Sequence, residues 1–214
     1  MTGASSFTGF WFARALAEDG HQVQCTLQRA SGEYVRHPLS ERVRQLREFA
    51  DVVESTSFGD DRFLDLVGRC PDIVAHHGSL VGDYRSASFD VVGAVAENTR
   101  NVRAVMERMK VCGARAFVLT GTVFEPGEGV GTDPGRAFSS YGLSKGIPSD
   151  IFRWHAREFG VPLAKFVFPT RSARLRRSAS ADTPTVVGWL ANRQSCVFQS
   201  MCVTTFTSTS SLWR

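Results

Sequence analysis

Met1-Thr2-Gly3-Ala4-Ser5-Ser6-Phe7-Thr8-Gly9 opens the chain and runs into a helical pattern carried by Phe10, Ala13, Leu16 and Ala17. A Gly/Ser-rich turn feeding a helix N-terminus presents unpaired backbone N–H groups and the positive end of the helix dipole. That arrangement suits a pyrophosphate, as in a dinucleotide loop. The same residues also suit an ordinary small-residue turn, so the loop takes its meaning from the rest of the chain. A strand is expected before such a loop, and here only two residues precede Gly3.

Beyond this loop, strand and helix patterns alternate. Residues 22–27 read as a strand that ends at Gln28-Arg29, 40–50 as a short helix, 51–53 as a strand and 61–67 as a helix. Pro71-Asp72-Ile73-Val74-Ala75-His76-His77-Gly78-Ser79 reads as a buried strand with a small-residue end. A long helical pattern spans 89–109 and includes Asn98 and Asn101. Residues 115–120 form the next strand, and 161–168 form the last. Strands alternating with helices predict a parallel sheet with crossover helices, whose chemistry gathers at the carboxyl ends of the strands. Thr120 stands at such an end. Arg29, with no acid beside it after the second strand, favours the 2′-phosphate of NADP, although a solvated loop arginine would look the same.

Ser139-Ser140-Tyr141-Gly142-Leu143-Ser144-Lys145 comes after the loop of residues 121–138. Tyr141 and Lys145, four apart on a helix, share one face, and an ammonium beside a phenol favours the ionised phenol. A tyrosine otherwise ionises near ~10, so a neighbouring cation is what makes it a base at neutral pH. The spacing alone also fits a Tyr and a Lys on a solvated helix face. Its weight comes from Thr120 and the opening loop, which belong to the same strand-end geometry.

Composition narrows the classes. No apolar run approaches the ~18 residues of a membrane span, and no basic region followed by an apolar core opens the chain, so a cytoplasmic protein with no membrane partner is expected. Five cysteines (Cys25, Cys70, Cys112, Cys196 and Cys202) are scattered without a Cys-x-x-Cys pair and are expected to be reduced thiols. His76 and His77 tempt a metal reading. Adjacent strand residues point to opposite faces, however, and no carboxylate or cysteine pattern supports them, so no metal is expected. The net charge is +4, but residues 170–214 hold six arginines and one aspartate, so the basic character belongs to the tail.

With Thr2-Gly3 through Gly9, the strand ending Val74-Ala75-His76-His77-Gly78-Ser79, Thr120-Gly121-Thr122-Val123-Phe124, and Tyr141 to Lys145 in this order, residues 1–169 resemble the extended short-chain dehydrogenase/reductases. Among these they are most similar to the NAD(P)-dependent epimerases and dehydratases, which act largely on nucleotide sugars. The resemblance implies an α/β fold, a Rossmann-type doubly wound parallel sheet, with NAD(P) as cofactor. It implies that Tyr141 is the catalytic acid/base, that Lys145 lowers its pKa and holds the nicotinamide ribose, and that Thr120 hydrogen-bonds the reacting oxygen. Gly3, Ser6, Phe7 and Gly9 would line the pyrophosphate, and Gly78 and Ser79 would lie along the cofactor. A homodimer built through the helices of the Phe89 and Tyr141 segments is a further expectation of the family.

Three departures matter. Ser6 replaces the middle glycine of the loop, and Val95 stands where a helix asparagine often joins the catalytic set. Gly121-Thr122 follow Thr120 where the dehydratases carry an acid–base pair, which points to an epimerase or carbonyl reductase.

Beyond Pro169 the pattern gives way to Ser, Thr and Arg without periodicity. A disordered tail and a nucleic-acid-binding arm are two readings. The arginines, however, lack interleaved aromatics, so no nucleic acid partner is expected. A third reading is favoured. Shifting the codons by one base permits Asn-Pro-Phe-Gly-Pro from residue 170 onward and Arg-Asp-Asp-Ile-His-Ile-Asp-Leu-Leu-Ala-Leu from 203 onward, both resembling motifs of the family. The expected division is therefore a cofactor-binding domain over 1–169 and an out-of-frame translation of the substrate-binding part over 170–214. The first strand is expected to be missing as well, since a GTG valine codon read as a start would give Met1-Thr2-Gly3 from the family's Val-Thr-Gly. A chain made as written should then fold poorly and bind cofactor weakly. A cooperative unfolding transition with tight NADPH binding would overturn that expectation.

Overall fold

The computed structural model of the protein describes residues 1–80, 82, 83, 86, 88–128 and 135–168. The tail over 170–214, with its out-of-frame reading, lies outside the described residues.

Among the described residues five parallel strands and six α-helices alternate: α1 (Phe7–Glu18), β1 (Gln24–Thr26), α2 (Leu39–Leu46), β2 (Asp51–Val53), α3 (Asp61–Val67), β3 (Ile73–His76), α4 (Val91–Asn98), α5 (Val102–Val111), β4 (Ala116–Thr122), α6 (Ser140–Phe159) and β5 (Leu163–Phe168). β1 pairs with β2, and β3, β4 and β5 pair in that order. The two sheets meet across Met1 and Thr2. The Met1 ammonium donates to the Gln24 carbonyl at 2.6 Å and Thr26 N–H to the Met1 carbonyl at 3.0 Å. On the other side Thr2 N–H donates to the Ala75 carbonyl at 2.9 Å, and Thr2 forms a parallel bridge with His76. The spatial order is thus β2, β1, the Met1-Thr2 segment, β3, β4, β5, a doubly wound α/β fold of Rossmann type.

Side-chain caps start four of the helices. Ser6, Asp60, Asp90 and Ser139 each accept from a backbone N–H three residues on, which satisfies one of the donors a helix start leaves open. Two cores flank the sheet. Val74, Phe117 and Leu119 pack with Val105, Met106, Met109 and Phe152 on one face, and Phe10, Ala13, Cys25, Leu27, Val43 and Leu46 pack on the other. Phe117 and Phe152, both fully buried, stack with ring centroids 5.0 Å apart and fix α6 on β4.

The pattern over 89–109 is two helices rather than the one its periodicity predicts. Asn101 adopts φ 50°, and its side-chain amide donates to the Gly59 carbonyl at 2.7 Å. Gly59 has φ +74°, and a Cβ there would fall 1.9 Å from the Arg100 carbonyl oxygen. A tertiary clasp to the turn before α3 therefore breaks the helix between Asn98 and Val102. The cysteine expectation also needs correction: Cys70 and Cys112 are joined as a disulfide, bringing the end of α3 to the end of α5, while Cys25 is a buried free thiol. Forty-two residues separate the pair, a spacing that carries no sequence signature.

Candidate functional site

The opening loop folds into a glycine cradle. Gly3 has φ +72°, and a Cβ there would lie 2.6 Å from the Gly78 nitrogen; one on Gly9 would lie 2.1 Å from the Gly3 carbonyl oxygen. Glycine is required at both positions because loop, α1 and the end of β3 are in backbone contact. Ser6 shapes the turn from within. Its hydroxyl donates to the Gly3 carbonyl at 2.8 Å and accepts from Gly9 N–H at 3.0 Å. The serine in place of a middle glycine thus serves as the cap of α1, and the open N–H groups of the first helical turn, beginning at Phe7, lie beyond it. Thr2 completes the cradle, accepting from Gly78 N–H at 2.9 Å and lying 2.8 Å from His76 Nδ1.

His76 and His77 face opposite sides of the sheet. His76 is buried among Phe58, Phe117 and Phe152. His77 lies on the α1 side, edge-on to Phe12, with Nδ1 3.1 Å from Thr120 Oγ1 and Nε2 3.0 Å from Thr8 Oγ1. Among the described residues no cluster of three metal-ligating side chains occurs.

On α6 two glycines one turn apart set the approach to β4. A Cβ on Gly142 would lie 2.0 Å from the Phe124 carbonyl oxygen, and one on Gly146 would lie 2.9 Å from Pro126 Cδ. Backbone-close packing holds Tyr141 and Lys145 against the segment that comes after Thr120 and Thr122. Tyr141 is half-buried beside Phe124, with ring centroids 6.4 Å apart. Lys145 is 8% exposed, and burial lowers its pKa to about 8 against the pull of Glu125. Its ammonium acts in turn on both histidines: burial and Lys145 bring His77 down to about 4, and they keep the pKa of His76 well below the ordinary histidine value.

Several site residues escaped sequence reasoning. Glu125, 1% exposed, accepts from Thr122 N–H at 2.7 Å, Ser149 Oγ at 2.9 Å and Lys165 Nζ at 2.6 Å. Lys165 also reaches Glu128 Oε1 at 2.6 Å. Asn98, one turn beyond Val95, is buried and accepts Leu80 N–H at 2.7 Å, so it holds the backbone that leaves the end of β3. A lone glutamate, lysine or asparagine gives no motif, and only the charge at Lys165 inside an apolar strand could have pointed to a buried partner. Arg29 lies exposed after β1, its guanidinium 4.7 Å from the centre of the Tyr34 ring.

Two observations test whether these residues fit a dinucleotide. The Gly3–Gly9–Gly78 cradle has no room for side chains where a diphosphate must approach backbone. Ser79 Oγ and Asn98 Nδ2 are buried without a partner among the described residues, as donors kept for a ligand would be. The fit is good.

A strand-order reversal beside a glycine-lined helix N-terminus places this protein among the dinucleotide-binding α/β folds. The NAD dependent epimerase/dehydratase family model matches residues 1–200, and the chain belongs to that family. Among solved structures it is similar to the UDP-glucuronic acid 4-epimerase of Bacillus cereus in complex with UDP-glucuronic acid and NAD, at 18% identity and TM-score 0.63 over 78% of this chain and 54% of that one. The UDP-glucose 4-epimerases of Thermotoga maritima, solved with UDP-glucose, and of Thermus thermophilus, solved with NAD, match at 20% and 18% identity with TM-scores of 0.55 and 0.59. Each match covers 78% of this chain, and 52% and 53% of those two respectively. At such identities the likeness is one of fold, and the chain spans about half the length of the solved structures it matches. No curated protein sequence matches it. Among the described residues no helix is long and apolar enough to cross a membrane.

Proposed function

We propose that this chain carries the catalytic half of an NAD(P)-dependent oxidoreductase of the epimerase or reductase type, acting on a nucleotide sugar. One observation carries the reading: a buried lysine, Lys145, stands one helical turn from Tyr141 at the strand end that bears Thr120, beside a cradle of diphosphate shape. Gly3, Ser6, Phe7 and Gly9 hold the diphosphate, Gly78 and Ser79 flank the cofactor, and Lys145 binds the ribose. The nicotinamide accepts and returns a hydride when bound. Tyr141 takes the proton of the sugar hydroxyl as that hydride leaves its carbon, and Thr120 orients the hydroxyl. With no acid beside Arg29, the 2′-phosphate of NADP is the better fit. UDP-glucose and UDP-glucuronic acid, bound by the similar structures, are the substrates to try first.

Replacing Tyr141 by phenylalanine should lower turnover of such a sugar by roughly 10²–10⁴-fold. NADPH and NADH titrations on the same variant should stay near wild type, with NADPH the tighter. Cofactor binding without turnover in the wild-type chain would instead favour the alternative, a non-catalytic NAD(P)-binding regulatory or relic domain. Leu143, Ile147 and Trp154 form an exposed apolar stripe along α6, which supports a homodimer through this helix; a monomer in sedimentation equilibrium would exclude it. The division at Pro169 belongs to the same proposal. Sequencing the gene across that codon should show that one restored base opens a frame through Asn-Pro-Phe-Gly-Pro, and an uninterrupted frame as written removes it.

A further inference from the structure

His77 links the diphosphate loop to the threonine of the site, and its hydrogen bonds fix which way the link runs. Nε2 lies 3.0 Å from Thr8 Oγ1 and 3.2 Å from Ser6 Oγ, both at the start of α1, and Nδ1 lies 3.1 Å from Thr120 Oγ1 at the end of β4. A neutral imidazole has one donor and one acceptor nitrogen, and hydroxyls can play either part. Ser6 removes the ambiguity. Its single hydroxyl proton is given to the Gly3 carbonyl at 2.8 Å, so toward His77 it can only accept. Nε2 therefore carries the proton, and Nδ1 presents a lone pair. Thr8 can accept alongside Ser6 without conflict. The edge of Phe12, 5.4 Å away between ring centres and nearly perpendicular, keeps the ring in this plane. Burial and the Lys145 ammonium hold the pKa of His77 at about 4, which leaves the ring with one N–H at neutral pH.

We infer that His77 is a positioning residue: protonated on Nε2, it accepts a hydrogen bond from the Thr120 hydroxyl on Nδ1 and leaves the Thr120 oxygen as an acceptor facing the site. This rests on the proposed role of Thr120 toward the reacting oxygen. Thr120 then meets an incoming sugar as an acceptor, engaging the reacting hydroxyl in the bound state before its single proton turns to Tyr141. That favours the epimerase type, in which the sugar arrives as an alcohol, over the carbonyl reductase.

The test is the tautomer of His77 in the full chain labelled with ¹⁵N-histidine, read by long-range proton–nitrogen correlation at neutral pH. The signals lost in His77→Gln supply the assignment. The expected pattern is a protonated Nε2 and an unprotonated Nδ1. In Thr120→Val the Nδ1 resonance should move downfield toward that of an unpartnered imine nitrogen, and in Thr120→Ser it should stay. A proton on Nδ1, or an Nδ1 signal unmoved by Thr120→Val, overturns the inference. Should the valine variant not fold, the wild-type tautomer alone decides. The spectrum needs neither turnover nor cofactor. A ring protonated on Nε2 in an inactive chain retires the enzymatic proposal alone, and a ring protonated on Nδ1 in an active chain retires this one alone.

Discussion

Replacing Lys145 by methionine should make the protein more stable and less able to bind or turn over its ligands. Lys145 is 8% exposed, and its ammonium has no ion pair or hydrogen bond with a described residue, while burial lowers its pKa to about 8. A lysine ordinarily titrates near ~10.4, and each pKa unit represents ~1.4 kcal/mol, so a neutral side chain of similar length should gain roughly 1–3 kcal/mol at pH 7. The pH dependence gives the sharper signature. Between pH 8 and the unfolded value near ~10.4, the unfolded chain holds the Lys145 proton and the folded chain has released it. Wild-type stability should therefore rise through that window relative to the methionine variant, and the difference between them should be largest below pH 8. Denaturant unfolding at pH 7 and pH 10 measures both. Equal stabilities at both values would show that Lys145 is not a buried cation. In the proposed mechanism the same substitution removes the charge that would make Tyr141 a base and a charged donor to the ribose, so turnover should fall roughly 10²–10⁴-fold. A residue that costs stability and supplies chemistry is what a functional site leads one to expect.

Much of this arrangement is legible in the sequence because it is local. The boundaries of β2 and α3 come directly from apolar pattern and flanking turn residues, and the strand–helix alternation yields the parallel sheet. The four-residue spacing of Tyr141 and Lys145 needs only helix geometry. The break before α5 is different in kind. Periodicity runs smoothly through Asn98 and Asn101, and only the contact of Asn101 with Gly59, 42 positions earlier, overrides it. The disulfide between Cys70 and Cys112 is invisible for the same reason. His77 could be placed on a strand and on a face, yet its partners Ser6, Thr8 and Thr120 come from two other elements. Local chemistry thus names the residue types at the strand ends, and tertiary register decides which of them meet.

Lys165 and Glu125 show that register at its strongest, and removing Glu125 should have the largest effect on stability of any single change at the site. In β5, Lys165 pairs opposite Leu119 of β4, which brings its ammonium under the turn after Thr122. There Glu125 Oε2 meets it at 2.6 Å with the lysine side chain 11% exposed and the glutamate 1%. Glu125 also takes the Thr122 N–H and the Ser149 hydroxyl, so it ties β4, β5 and α6 together directly beneath Lys145. Truncation to alanine leaves three donors with a partner lost, and breaking a buried pair on one side costs about 3 kcal/mol or more. Glu128, which remains on Lys165, and the Lys145 carbonyl, 3.0 Å from Ser149 Oγ, limit that loss without replacing the contact to Thr122. Adding Lys165→Met to Glu125→Ala should recover part of the stability, because a buried cation left with Glu128 alone is removed as well. A double variant whose loss equals the sum of the two single losses would show that the pair is uncoupled. The two single variants should also separate in function. Glu125 raises the pKa of Lys145 and Lys165 lowers it. Losing the glutamate should therefore bring the loss of turnover at alkaline pH to a lower pH, and losing Lys165 alone should move it higher. A purely structural pair would leave both profiles where they are.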